Sequence, residues 1–234
     1  MTKTIENQEF VKAYDNGGHV YEDLVLRKCK FLSSGVSLAK HPAQRSVVRN
    51  VTLERCRVQR SSLGCAVVED VLVDGLQTPD LLQAFGTIFH RVTLKGKIGR
   101  LMVTPVIRPG SLNTPVQEEF DRDREAYYAN MDDFALDISQ ADAVEIALSG
   151  IPARLVRRDP ETQAVVTRQS ALSGEWRELE HVQGSEFKIV IQELLKGSGG
   201  TDDAVLIAHR RSRNFKKLLA GIEELRAAGV ALPD

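Results

Sequence analysis

Along the first two thirds of the chain, apolar and polar residues alternate in short bursts, and one phrase keeps returning. An apolar–x–apolar triplet is followed by Cys or Gly and then by another apolar residue. It reads Leu24-Val25-Leu26…Cys29-Lys30-Phe31 and Val51-Thr52-Leu53…Cys56-Arg57-Val58. It returns as Val71-Leu72-Val73-Asp74-Gly75-Leu76 and as Val92-Thr93-Leu94-Lys95-Gly96-Lys97-Ile98. The triplets begin 27, 20 and 21 positions apart. Within a phrase Val51 and Leu53 alternate with Thr52 and Glu54, the period of a strand with one buried face. Short strands recurring at a step of about 20 residues predict a β-solenoid in which each phrase is one rung. Asp23, Asn50 and Asp70 precede three of the triplets and suit corners, because their side chains bond nearby backbone and tolerate unusual dihedrals. The longer first step requires an excursion, placed at Ala39-Lys40-His41-Pro42-Ala43-Gln44.

Elsewhere the period changes. Residues 1 to 18 are polar and read as a flexible lead-in ending in Gly17-Gly18. Thr114-Pro115-Val116-Gln117 is a helix start, with an N-cap, proline at the first helical position and Gln three residues after the cap. That helix is expected to run to about Asn130, one face carrying Val116, Phe120 and Tyr127. The rung phrase then resumes at Phe134-Ala135-Leu136-Asp137-Ile138, and Ile146 to Ile151 matches Val71 to Leu76 position by position. After Pro152, two short segments flank Asp159-Pro160-Glu161-Thr162 and predict a hairpin. Ser185 is placed as the cap of a helix ending at Gly197. A strand at Ala204–Ala208 follows, and a last helix carries Phe215, Leu218, Ile222 and Leu225 on one face.

Composition narrows the function classes. The 234 residues carry 31 Lys plus Arg against 32 Asp plus Glu, a net charge of −1. Global attraction to nucleic acid or to an anionic membrane is therefore not expected. No stretch approaches the roughly 20 apolar residues that span a bilayer, and the N-terminus has no secretory-type apolar run. Three cysteines without a CxxC pair argue against a disulfide framework or a structural zinc site. The expected location is the cytoplasm, with reduced thiols and no cofactor.

Candidate chemistry is sparse. Cys29 and Cys56 hold equivalent rung positions and read as stacked small hydrophobes. The five histidines (His19, His41, His90, His181, His209) share no metal-ligand spacing. Gly197-Ser198-Gly199-Gly200 has a helix before it and a strand after it, the wrong polarity for cradling phosphates. The helix face from Glu118 to Glu125 mixes both signs and reads as a solvated surface. One dense basic segment runs from His209 through Arg210, Arg211 and Arg213 to Lys216-Lys217. Arginine makes planar, multidentate contacts with carboxylates and phosphates. The candidate binding residues are therefore Arg122 and Arg124 on the inserted helix, with Arg210, Arg211 and Arg213.

The rungs, over residues 20–105 and 132–151, resemble those of short right-handed parallel β-helix proteins. More distantly they resemble pentapeptide-repeat proteins, through Ser139-Gln140-Ala141-Asp142-Ala143. The resemblance implies a mainly β fold: a short right-handed parallel β-helix over residues 1–151, with a helical insertion at about 114–131. A small α+β module over 152–234 follows. Small coil proteins of this type act mostly by binding other proteins, so the expected function is a non-enzymatic protein-binding module, an immunity or inhibitor protein or an adaptor. The partner is expected to be another protein, not a membrane or a nucleic acid. The alternative, drawn from large β-helix families, is a carbohydrate-active or other hydrolytic enzyme using Glu54, Glu69, Asp70 or Asp74.

Overall fold

The computed structural model describes residues 2–108, 110–197 and 199–232; Ser198, part of the glycine-rich turn, lies outside them. Its main element is a sheet of eleven strands, built by successive parallel passes of the chain. β1 (Lys3–Glu6) and β2 (Glu9–Val11) form the first pass. β3 (Val20–Arg27), β4 (Lys30–Leu32) and β5 (Gly35–Val36) form the second, and β6 (Val47–Gln59) with β7 (Ser62–Leu63) the third. β8 (Val67–Phe85) and β9 (Ile88–Thr104) each make a further pass, bending at corners where their mutual register shifts between Asp74 and Leu81. After a helix, α1 (Pro115–Ala129), β10 (Leu136–Leu148) adds another pass and β11 (Val156–Arg157) pairs in parallel beside it.

The register of this sheet equals the spacing of the repeated phrase. Leu24 pairs with Val51, Val51 with Val71 and Val71 with Val92. Leu136 continues the column beside Val92, and Val156 lies beside Leu136. Val51, Val71, Val92, Leu136 and Val156 are each no more than 5% exposed. Burying each such side chain contributes roughly 1.5–3 kcal/mol, which makes these columns the source of the sheet's cohesion.

The corners repeat as strictly as the core. Asp23, Asn50, Asp70 and Arg91 all take φ between 51° and 56°, at equivalent places in four passes. A second corner runs through Asn7, Lys28, Arg55, Gly75 and Gly96, again left-handed. A left-handed residue turns the chain sharply yet leaves its amide directed along the stack. Asn7 N–H donates to Arg27 O and Lys28 N–H to Glu54 O, at 2.9 and 2.8 Å. Non-glycine residues pay about 1 kcal/mol or more for this conformation, so it persists only where the pairing on both sides imposes it.

Several corners are followed by a small donor that closes the turn. Cys29 Sγ donates toward Ile5 O and Arg27 O, and Cys56 Sγ toward Leu26 O and Glu54 O. Ser34, Ser61 and Thr87 make the same pair of contacts, to the carbonyl two residues back and to one on the preceding pass. The cysteines are thus buried corner donors as well as packing groups.

Four expectations are corrected. Residues 3–11 are not a lead-in: Ile5 lies beside Leu26, and the Phe10 and Phe31 rings stack at 5.0 Å. Ile146 lies beside Leu101, not on the Val71 column, because Leu136 already takes up that column earlier in the same strand. The hairpin around Asp159-Pro160 does not form. Val156 joins the parallel sheet, whereas β12 (Gln163–Thr167) pairs antiparallel with β13 (Asp203–Ile207). Ser185 is no cap either, since its hydroxyl donates back to Val182 O.

Around β12 and β13 lie α2 (Arg168–Leu172), α3 (Glu180–Gln183), α4 (Phe187–Lys196) and α5 (Phe215–Ala227). They enclose a second core with Trp176, Phe187, Ile191, Leu218 and Ile222. Val165, Val205 and Ile207 belong instead to the core of the large sheet, which seats this part of the chain on its end.

Val71→Asp should abolish cooperative folding, since an unpaired carboxylate would enter the buried column at a cost of about 3 kcal/mol or more. Leu53→Asp should cost less, because Leu53 is only half-buried. Urea unfolding followed by circular dichroism tests both; equal, small losses would contradict this register.

Candidate functional site

The inserted helix lies down on the sheet rather than projecting from it. Thr114 caps α1 by accepting from Gln117 N–H, and Gln117 Nε2 donates to Pro105 O. At the far end the Tyr128 hydroxyl accepts Phe89 N–H at 3.1 Å. Between them Arg45, almost fully buried, donates to Asp123 at 2.8 Å and to the carbonyls of Cys65 and Gly86, its guanidinium over the Phe120 ring. Arg124 is also buried, donating to Asp121 at 2.5 Å with Glu125 at 3.8 Å. Arg122 is exposed.

The basic segment sits where the second core meets the large sheet. Arg210 pairs with Asp159 at 2.9 Å and with Glu161 at 3.3 Å. Arg211 N–H donates to Ala143 O, and its side chain to Ile98 O, both at 3.3 Å. Arg213 is exposed. Of the five candidate arginines, then, Arg124 is buried, Arg210 and Arg211 are exposed but bonded to neighbouring parts of the fold, and Arg122 and Arg213 are exposed.

The acidic candidates are engaged as well. Glu54 accepts from Arg27 at 2.8 Å, Asp74 pairs with Lys95 at 3.2 Å, and Asp70 takes both a 2.6 and a 2.8 Å bond from Arg91. Glu69 accepts the Tyr127 hydroxyl at 2.9 Å. Arg91 also contacts His90 Nε2, and His90 Nδ1 contacts the Tyr127 oxygen at 3.1 Å. Since arginine only donates, His90 accepts at Nε2 and carries its proton on Nδ1. The result is a one-way chain, Asp70 from Arg91, Arg91 to His90 to Tyr127 to Glu69, that fastens the end of α1.

Sequence reasoning missed the most highly coordinated buried acid. Asp15 is 5% exposed and accepts from Ser46 Oγ, Gly17 N–H, Ser37 N–H and His19 Nδ1. Burial alone would raise its pKa, but these donors outweigh burial and hold the carboxyl below its ordinary value. The signal was present: Asp15 and His19 flank Gly17-Gly18, as a turn around a buried acceptor would require. His209, by contrast, is buried with Nδ1 unpartnered, and burial pushes it down to about 4.

The start of α5, like that of α4, has no side-chain cap. Asn214 precedes the helix without a side-chain cap, and its first turn carries no acid. Lys216 and Lys217 stand there instead. With Glu180, His181 and Gly184 they line an open depression of about 490 Å³. Its wall is set by His181, whose Nδ1 meets Glu224 at 2.6 Å. A cation in a first turn opposes the helix dipole, whereas an anion there gains about 0.3–1 kcal/mol. α1 and α2 are both capped by threonine side chains. Among the described residues no group of three or more His, Cys, Asp or Glu is placed to hold a metal, and no helix is long and apolar enough to cross a membrane.

Comparison of the chain with protein-family models, curated proteins and solved structures gives no match.

Two outcomes follow from the buried titrating groups. Asp15 contributes stability that is full above its ordinary value of 3.8 and is lost as pH falls through its lower folded value. Asp15→Asn should therefore lose about 2 kcal/mol near neutral pH and show a flatter acid limb in urea titrations between pH 5 and 3. Burial also pushes the Cys56 and Cys65 thiols up to about 11. Native protein at pH 8 should leave these thiols unreactive toward Ellman's reagent and expose them only in denaturant; fast native reaction would show that the corners open.

Proposed function

We propose that this chain is a non-enzymatic protein-binding module on a short right-handed parallel β-helix, acting as an immunity or inhibitor protein or as an adaptor. The parallel passes at steps of 20 and 21 residues support the scaffold. The contact surface is the start of α5, where exposed Arg213 continues into Lys216 and Lys217 beside an open depression. That surface carries the reading: an uncapped, cationic first turn is destabilising for the free protein, and a carboxylate-bearing partner would relieve it. The enzymatic alternative has less support, because Glu54, Asp70 and Asp74 are already in ion pairs and Glu69 is bonded to Tyr127.

The test reads binding and stability together. Arg213→Glu, Lys216→Glu and Lys217→Glu should raise the thermal midpoint slightly, since acids suit the first turn. The same triple variant should lose more than ten-fold in affinity for the stoichiometric partner recovered by crosslinking in the native host. An unchanged affinity, or wild-type protein that returns no stoichiometric partner, would overturn the proposal.

A further inference from the structure

In-register parallel strands bring equivalent side chains to within one strand spacing, about 4.8 Å. Like charges at that spacing are destabilising, and opposite charges are favoured. Along most of the sheet the rule is obeyed. Arg27 lies between Glu6 and Glu54, and Arg49 donates to Glu22 at 2.7 Å. Where two acids adjoin, as Glu54 and Asp74 do, each has its own cation.

One place breaks the rule. Lys30 is in direct register with Arg57, cation beside cation. Next to them Lys28 and Arg55 occupy the same left-handed corner on adjacent passes, and all four residues are exposed. Only Lys30 has an acid within reach, Glu9 at 3.7 Å; Arg57 donates merely to Gln59 Oε1. Beyond Arg55 the corner continues as Gly75 and Gly96, which leaves the flank of that side chain open. Lys28 and Arg55, with Glu6, Asn7, Arg27 and Glu54, line a depression of about 240 Å³. Left-handed lysine and arginine cost backbone energy that asparagine or glycine would avoid, so both the conformation and the charge are unfavourable in the free chain.

We propose that this corner is a second contact surface, specific for an acidic, extended polypeptide segment. Alternate carboxylates of an extended chain lie roughly 6.6 Å apart, a spacing that one side of such a segment presents to cations two residues apart along a pass. A nucleic-acid backbone is disfavoured, because three uncompensated cations release few counterions, while Glu6, Glu9 and Glu54 are already held by Arg27 and Lys30. The surface is independent of α5 and uses none of its residues.

The experiment is fluorescence anisotropy with labelled hexaglutamate at low salt. It compares wild type, the α5 triple variant, and a corner variant carrying Lys28→Asn, Arg55→Asn and Arg57→Thr. Asparagine tolerates the left-handed corner, so the corner variant should keep or raise the thermal midpoint while binding hexaglutamate at least ten-fold more weakly. Loss confined to the α5 variant would overturn the inference and leave the α5 surface as the only contact. A clear fall in the corner variant's midpoint would show the cations to be structural, and tighter binding of labelled decathymidylate, lost with the same substitutions, would assign the corner to nucleic acid; either overturns it.

Discussion

In-register parallel stacking is the constraint on which the rest of the molecule depends. Each pass takes its hydrogen bonds from the one before and offers them to the next, so a residue type suits a position only if it tolerates its own equivalents on both sides. Apolar side chains satisfy this by packing in columns, as Val51, Val71, Val92 and Leu136 do. Charged ones satisfy it by alternating in sign. The backbone satisfies it by placing a left-handed residue at the same point of each turn. A slip of one residue would exchange Val71 for Leu72 in the column and expose every buried partner.

The excursion between Ser37 and Ser46 tests that constraint, because its extra residues lie outside the paired strands. Asp15 resolves it. By accepting from Ser37 N–H and Ser46 Oγ, it fixes both ends of the excursion to the first pass, while His19 N–H donates to the same Ser46 hydroxyl. Val47 N–H then pairs with His19 O, and Val47 re-enters register beside Val20. A buried carboxylate with several donors is costly to build and costly to disturb, which suits a position that must hold register across a break.

What was legible in the sequence was what repeats locally. The steps of 27, 20 and 21 emerged because interior positions are apolar in each phrase, and Asp23, Asn50 and Asp70 because corner chemistry selects those residues. α1 was legible from its cap. The first pass was not, because its outer side is uncovered and the burial pattern fades there; Val11 and Tyr14 are 55% and 60% exposed. β11 and β12 were misread because a turn signal at Asp159 says nothing about which strand each flank will join. At the candidate sites, exposed and buried arginines look alike in sequence. Arg124 disappears under α1 by tertiary packing, and the Lys28–Arg55 neighbourhood exists only once the register is known.

Two surfaces of this protein therefore hold cations where folding alone would not choose them. Solubility does not account for either. Net charge and dispersed charge keep a chain in solution, and neither needs like charges in register or lysines against a helix dipole. The acids needed to neutralise them are abundant, as the alternating columns show, yet at the corner they are held by Arg27 and Lys30, and the first turn of α5 itself holds none. α1 offers the contrast: its charges are as dense, but Arg45 and Arg124 are matched by Asp123 and Asp121, and the helix is bound down. Dense charge that is internally matched builds structure. Unmatched charge on rigid backbone instead keeps its field directed outward, and a rigid array loses little entropy when an acidic partner arrives.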